Sequence, residues 1–181
     1  MKTIFSKLNL KYGIIIGLGF CLYTTIMWLT KLDSTHLKVG KYFDILIILL
    51  PISIILIAIK KENTLNKLNI LQRIFMAIYV SAISFIIYAP FLYCYHNYIN
   101  PDWFNFVLDL KKEELISTNM SKTQIDTILN EMKIANDAQN KIFKLSALIP
   151  SVIIIPTIIA LLSLVFIRKK NNLANQSYTH K

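Results

Sequence analysis

Acidic side chains are scarce in this chain: 10 Asp and Glu stand against 20 Lys and Arg, and charged residues of both signs make up only 17% of its 181 residues. A water-soluble domain of this size needs a larger polar fraction to cover its surface, so a soluble globular fold is excluded first. Glycine occurs 4 times and proline 5 times, without period or tract. Collagen-like and low-complexity chains are thereby excluded, and disorder goes with them, because disorder requires low hydrophobicity and 55% of these residues are hydrophobic. Two cysteines cannot build a disulfide scaffold. Cys21 falls midway along one apolar run and Cys94 near the end of another, which places them at depths about 10 to 15 Å apart and leaves them unbridged. Also missing are HExxH, CxxC, a phosphate-binding glycine loop and a serine with a histidine in catalytic arrangement. Cys94 and His96 in YCYH lack the further cysteine or acid cluster that a metal site needs. No catalytic residue, metal or cofactor is expected.

What the chain does have is long uncharged runs. Tyr12–Thr30 gives 19 residues, Ile74–Tyr95 gives 22, Leu145–Ile167 gives 23, and Tyr42–Ile59 gives 18 with one acid, Asp44, near its start. About 20 residues suffice for a helix to cross a bilayer. The expected fold class is therefore an all-α integral membrane protein with four transmembrane helices at about 12–30, 42–59, 74–95 and 145–167. An extramembrane helical hairpin at 96–144 joins the third to the fourth, and 168–181 form a flexible tail. The first run, behind Lys2, Lys7 and Lys11, is too long for a signal peptide and ends in bulky Met27, Trp28 and Leu29, so it reads as a retained helix.

Orientation follows from lysine and arginine. With the N-terminus inside, the inner pieces carry 11 basic residues against Glu62 alone, which is the whole of the +10 net charge. The outer pieces sum to zero. Both termini are thus expected in the cytoplasm, with basic flanks against anionic lipid. Nucleic acid is not an expected partner, because no basic patch is interleaved with aromatics.

Between the third and fourth runs, Tyr93, Tyr95, Tyr98, Trp103, Phe104 and Phe106 form an interfacial aromatic belt. Asn100, Pro101 and Asp102 read as a helix start with Asn100 as N-cap, giving a helix at about 101–117. Ser121 and Gln124 form a capping box for a second helix. Its apolar stripe runs through Ile125, Ile128, Leu129 and Met132, while Lys133, Asp137 and Lys141 form a charge ladder on another face. Trp103, Phe104, Ile125, Ile128 and Met132 are the candidate partner face, or else a seam within the hairpin.

Inside the spans, Gly13 and Gly17 have the spacing that lets helices approach closely. Pro51 and Pro156 lie near the middle of the second and fourth spans, and each frees a carbonyl about one turn earlier. Such carbonyls need partners in hydrocarbon, so both kinks are expected to face the bundle interior near Ser53, Thr157 or water. Asp44 is expected at the outer mouth of that interior, within reach of His96 or Lys144. The Asp33-Ser34-Thr35 and Asp126-Thr127-Ile128 tripeptides have the form of a short periplasmic O-glycosylation signal. Lys-Leu-Asn before the first and third spans echoes weakly, as the positive-inside rule on such a chain would produce.

LKYGIIIGL opening the first span, AIKKEN ending the second, YINPDW after the third and FIRKK ending the fourth together resemble an uncharacterised bacterial family, domain of unknown function 4199. The resemblance covers about residues 10–170. It implies the inner membrane of a Gram-negative cell of the Bacteroidetes with the hairpin in the periplasm, and it brings no functional residue. The expected role is non-enzymatic: a scaffold or accessory subunit presenting the hairpin to a protein partner. The alternative is a small oligomeric transporter or channel with a polar cavity near Asp44, Pro51 and Pro156.

Overall fold

Ser6 opens the first helix by accepting the Asn9 backbone N–H at 3.2 Å, which satisfies one of the donors a helix start leaves free. The computed structural model describes residues 4–118, 120–140 and 149–167. Helix α1 runs Lys7–Leu29. It ends where the Thr30 hydroxyl donates back to the Ile26 carbonyl and Lys31 takes a left-handed conformation (φ 58°) that turns the chain.

The second apolar run extends further than its uncharged core and is interrupted. It forms α2 (Leu37–Ile47) and α3 (Leu49–Asn66), with a break at Ile48. Pro51 is the cause. It has no N–H for the Ile47 carbonyl and its ring crowds that carbonyl, so regular helix cannot continue through residues 47–48. Pro51 thus lies in the first turn of α3, a position that tolerates proline, and not in the middle of a continuous span as expected. Lys67 closes α3 with φ 45°.

Asn69 and Gln72 start α4 (Ile70–Cys94) with a reciprocal capping box, at 2.8 and 2.9 Å. Pro90 sits inside α4, and Tyr95–Ile99 continue it as a π-helical turn. Helix α5 spans Trp103–Ser117 and α6 spans Lys122–Asn140. Ser121 and Gln124 exchange the expected capping bonds. The start of α5 differs from expectation: Asp102, not Asn100, is its cap residue and makes no side-chain cap bond, and the Asn100 amide donates to Asp33. The last apolar segment is a π-helical stretch, Ile149–Ile154, followed by α7 (Ile155–Phe166), with Pro156 in the first turn of α7. Lys133 is exposed on α6, whereas the side chain of Asp137, Lys141, the onset of the fourth span at Leu145, and the tail lie outside the described residues.

No strand occurs among the described residues, and four helical segments, Lys7–Leu29, Leu37–Asn66, Ile70–Ile99 and Ile149–Phe166, are long and apolar enough to cross a membrane. Helix α1 packs most extensively on α4, and α7 lies against α4 and α3. The core collects Ile16, Ile55, Ile59, Met76, Val80 and Ile159. Gly13 and Gly17 are what bring α1 against α4. A Cβ on Gly13 would lie 2.6 Å from the Ile83 Cβ, and one on Gly17 would lie 2.9 Å from the Ile87 Cβ.

Only 17 to 28% of each most apolar window is buried inside the bundle. Leu18, Leu22, Ile86 and Val165 are among the large side chains facing outward. A surface of that kind suits hydrocarbon and not water.

Candidate functional site

Two polar clusters mark the two ends of the bundle. At the first end, Glu62 is buried and accepts from the Ser6 hydroxyl at 2.7 Å and the Asn66 amide at 3.1 Å. Arg73 is buried beside it. Its guanidinium donates to the Ser163 carbonyl and hydroxyl, both at 3.2 Å, and to the Asn63 side-chain oxygen at 3.1 Å. These bonds join the start of α1, the end of α3, the start of α4 and the end of α7, as an up-and-down bundle requires.

At the other end the loop after α1 meets the end of α4. Asp33 is only 7% exposed, and its Oδ2 accepts from the Tyr95 hydroxyl and, at 2.9 Å, from the Asn100 amide. The Asn100 amide also lies 3.0 Å from the Tyr95 hydroxyl. Burial pushes the Asp33 carboxyl above the usual carboxylate range, and the Asn100 hydrogen bond pulls the other way. The Asp33 Oδ1 is buried and has no partner among the described residues.

This Asp33 cluster lines a cavity of about 570 Å³, a size suited to a small molecule. Helix α1 contributes Tyr23 and Thr24, α2 contributes Asp44, and α4 contributes Tyr88. Tyr23 donates to Asp44 at 2.7 Å, and the Thr24 and Tyr88 hydroxyls lie 3.0 Å apart. The π-helical turn adds Tyr95 and His96, and the hairpin closes the far side with Trp103 and Met132. His96 packs its ring on Trp103 at 4.6 Å, and its buried Nδ1 has no partner among the described residues. An ion pair, Lys38 to Glu113 at 3.0 Å, ties α2 to α5 on the surface.

The candidate residues from the sequence divide accordingly. Asp44 and His96 line one cavity, although Asp44 bonds to Tyr23 and not to His96. Lys144 lies outside the described residues. Pro51 is half-buried at the start of α3, and Ser53 is exposed beside a separate apolar groove of about 470 Å³. Pro156 is fully buried, as expected of an inward kink, and the Thr157 hydroxyl donates to its own helix at the Ile153 carbonyl, 2.6 Å away. Pro51, Ser53, Pro156 and Thr157 therefore do not join Asp44 around a common cavity.

The candidate partner face turns inward as well. Ile125 is 7% exposed, Phe104 and Ile128 are half-buried, and Trp103 and Met132 line the cavity. Sequence reasoning missed Asp33, Tyr95 and Asn100 as a unit. Asn100 had been assigned to a helix start, and Asp33 and Asn100 are 67 positions apart. Among the described residues no group of three or more His, Cys, Asp or Glu could hold a metal ion.

By class, then, the described residues form a helical bundle with four helices long and apolar enough to cross a membrane, and a largely apolar cavity at one end with a few polar side chains on its wall. More particularly, the chain belongs to the family described as "Protein of unknown function (DUF4199)", whose model matches residues 11–169. No curated protein and no solved structure matches the chain.

Proposed function

We propose that this is a multi-pass protein of the bacterial inner membrane that binds a small polar solute in the cavity under its hairpin and acts as a non-enzymatic carrier or receptor subunit. The carrying observation is the cavity itself: about 570 Å³, lined by Asp33 and His96, whose buried Oδ1 and Nδ1 have no partner among the described residues. Buried polar atoms without partners are costly, so a site that keeps two of them beside a cavity is suited to a ligand that satisfies them.

The inward turn of Ile125, Trp103 and Met132 favours this reading over a scaffold, since the stripe that would have greeted a partner is used inside the protein. The scaffold reading keeps one specific support: Ile116 and Ile134 on the hairpin are 56% and 61% exposed. The basic end, with Lys7, Lys60, Lys61 and Lys67 around the Glu62 and Arg73 cluster, faces the cytoplasm in this proposal. The hairpin then lies in the periplasm and both termini lie inside.

Cysteine labelling tests both parts, in a background with Cys21 and Cys94 replaced by alanine. Thr118→Cys and Ser121→Cys are expected to label from the periplasm, and Asn63→Cys and Asn175→Cys only after permeabilisation. Thr24→Cys is expected to react with a small methanethiosulfonate supplied from the periplasm. External labelling of Asn63→Cys overturns the topology. An unreactive Thr24→Cys together with a stoichiometric protein partner in mild-detergent purification overturns the cavity reading in favour of the scaffold.

A further inference from the structure

Resting on the cavity reading above, the geometry points to the chemical class of the solute: a small organic monocation, a protonated amine with an apolar body. Two carboxylates, Asp33 and Asp44, line the cavity with no ion pair among the described residues, where the ion pairs are Lys38 with Glu113 and Lys111 with Glu114. Asp33 is the sharper of the two. Its Oδ2 accepts hydrogen bonds from Tyr95 and Asn100, while the buried Oδ1 has no side-chain partner among the described residues. An acceptor held in that way calls for a donor, and an ammonium N–H supplies both the donor and the opposite charge.

The remaining wall suits the body of such a ligand. Tyr23, Tyr88, Tyr95 and Trp103 line the same cavity as Asp33 and Asp44. A cation over aromatic faces gains from the ring quadrupoles, and more so where water is excluded. A neutral solute would leave the charge of Asp33 uncompensated, and an anion would be repelled by both carboxylates. Lys41 and Lys111 also line the cavity and would favour an anion instead; Lys41 is exposed, so solvent shares its charge, and Lys111 is paired with Glu114 on the same wall.

The test is calorimetric titration of the full chain in phosphatidylcholine nanodiscs, with empty nanodiscs subtracted, using benzylammonium, benzyl alcohol and benzoate as probes of one shape and three charges. Saturable binding of benzylammonium, at least tenfold tighter than either comparator, is expected. Asp33→Asn should weaken it at least tenfold. If that variant fails to fold, Asp44→Asn should weaken it several-fold, and charge discrimination by the unaltered protein decides the matter without any variant. Equal binding of benzylammonium and benzyl alcohol, or tighter binding of benzoate, overturns the cationic class while leaving the cavity as a binding site. Absence of binding by all three overturns the inference, and the reactivity of Thr24→Cys then shows whether the cavity reading falls with it.

Discussion

Gly13→Ala adds a single methyl group where α1 crosses α4, and its cost can be worked from the spacing. The new Cβ would meet the Ile83 Cβ at 2.6 Å and the Val80 carbonyl oxygen at 2.8 Å. Ordinary contacts begin near 3.4 Å, so the helices must separate by roughly 0.6 to 0.8 Å, because one of the clashing atoms is backbone and cannot rotate away. Overpacking of this kind costs about 1 to 3 kcal/mol. Against it stands the better helix propensity of alanine, about 1 kcal/mol. The net expectation is a loss of up to about 2 kcal/mol.

Gly19→Ala is the internal comparison. Its Cβ meets only the Leu50 Cδ2, at 2.9 Å, the far end of a flexible side chain, so it should be neutral or up to about 1 kcal/mol stabilising. Thermal and SDS-titration unfolding in detergent, followed by circular dichroism, would order the three proteins as Gly19→Ala at or above wild type and Gly13→Ala below. A Gly13→Ala protein as stable as Gly19→Ala, or more stable than wild type, would refute the close α1 to α4 approach.

Ser6→Ala removes both the α1 cap and the hydrogen bond to buried Glu62, and should lower stability by about 1 to 3 kcal/mol in the same assay. Ile125→Asp places a charge in the seam between α5 and α6 and should cost about 3 kcal/mol or more, with faster proteolysis of the hairpin, whereas Ile134→Asp, at an exposed position, should change stability by less than about 0.5 kcal/mol. The raised carboxyl of Asp33 predicts a pH dependence. Because folded Asp33 keeps its proton to higher pH than the unfolded chain does, its contribution is fully present below the ordinary carboxylate range and is lost as pH rises through the raised value. Asp33 faces Tyr95 and Asn100 directly and shares the cavity with Lys41, Asp44, His96, Lys111 and Glu114. Asp33→Asn should remove its part of the slope of stability against pH, as unfolding at several pH values would show, and an unchanged slope would assign the dependence to the other groups.

The helices that a one-dimensional pattern specifies were legible in the sequence. The four apolar runs, the Ser121 and Gln124 cap and the Gly13 and Gly17 contact each depend on residues within a few positions of one another. Pro51 was legible as a break but misplaced, because a proline disrupts the turn before it, and the interruption falls at Ile48. Pro90 and the π-helical turn after it went unread: the turn's one extra residue leaves no mark in composition. The cavity was half legible, since Asp44 and His96 stand out as polar residues at span ends. Asp33, Tyr95 and Asn100 did not, because only the folded chain makes them neighbours.

The bond between Arg73 and Ser163 spans 90 residues, and that separation is also a waiting time. At about 5 to 20 residues synthesised per second, Ser163 follows Arg73 from the ribosome by roughly 5 to 18 s. Throughout that interval the nascent chain holds a guanidinium at the head of α4 that has Asn63 but not yet its Ser163 acceptors. A long arginine stem can hold its charge toward the aqueous surface meanwhile. Only the arrival of α7 supplies the acceptors that let it settle inward. A message truncated before α7 would therefore yield three long apolar helices with a guanidinium lacking its Ser163 acceptors, a mark by which a protease could tell an unfinished chain from a finished one.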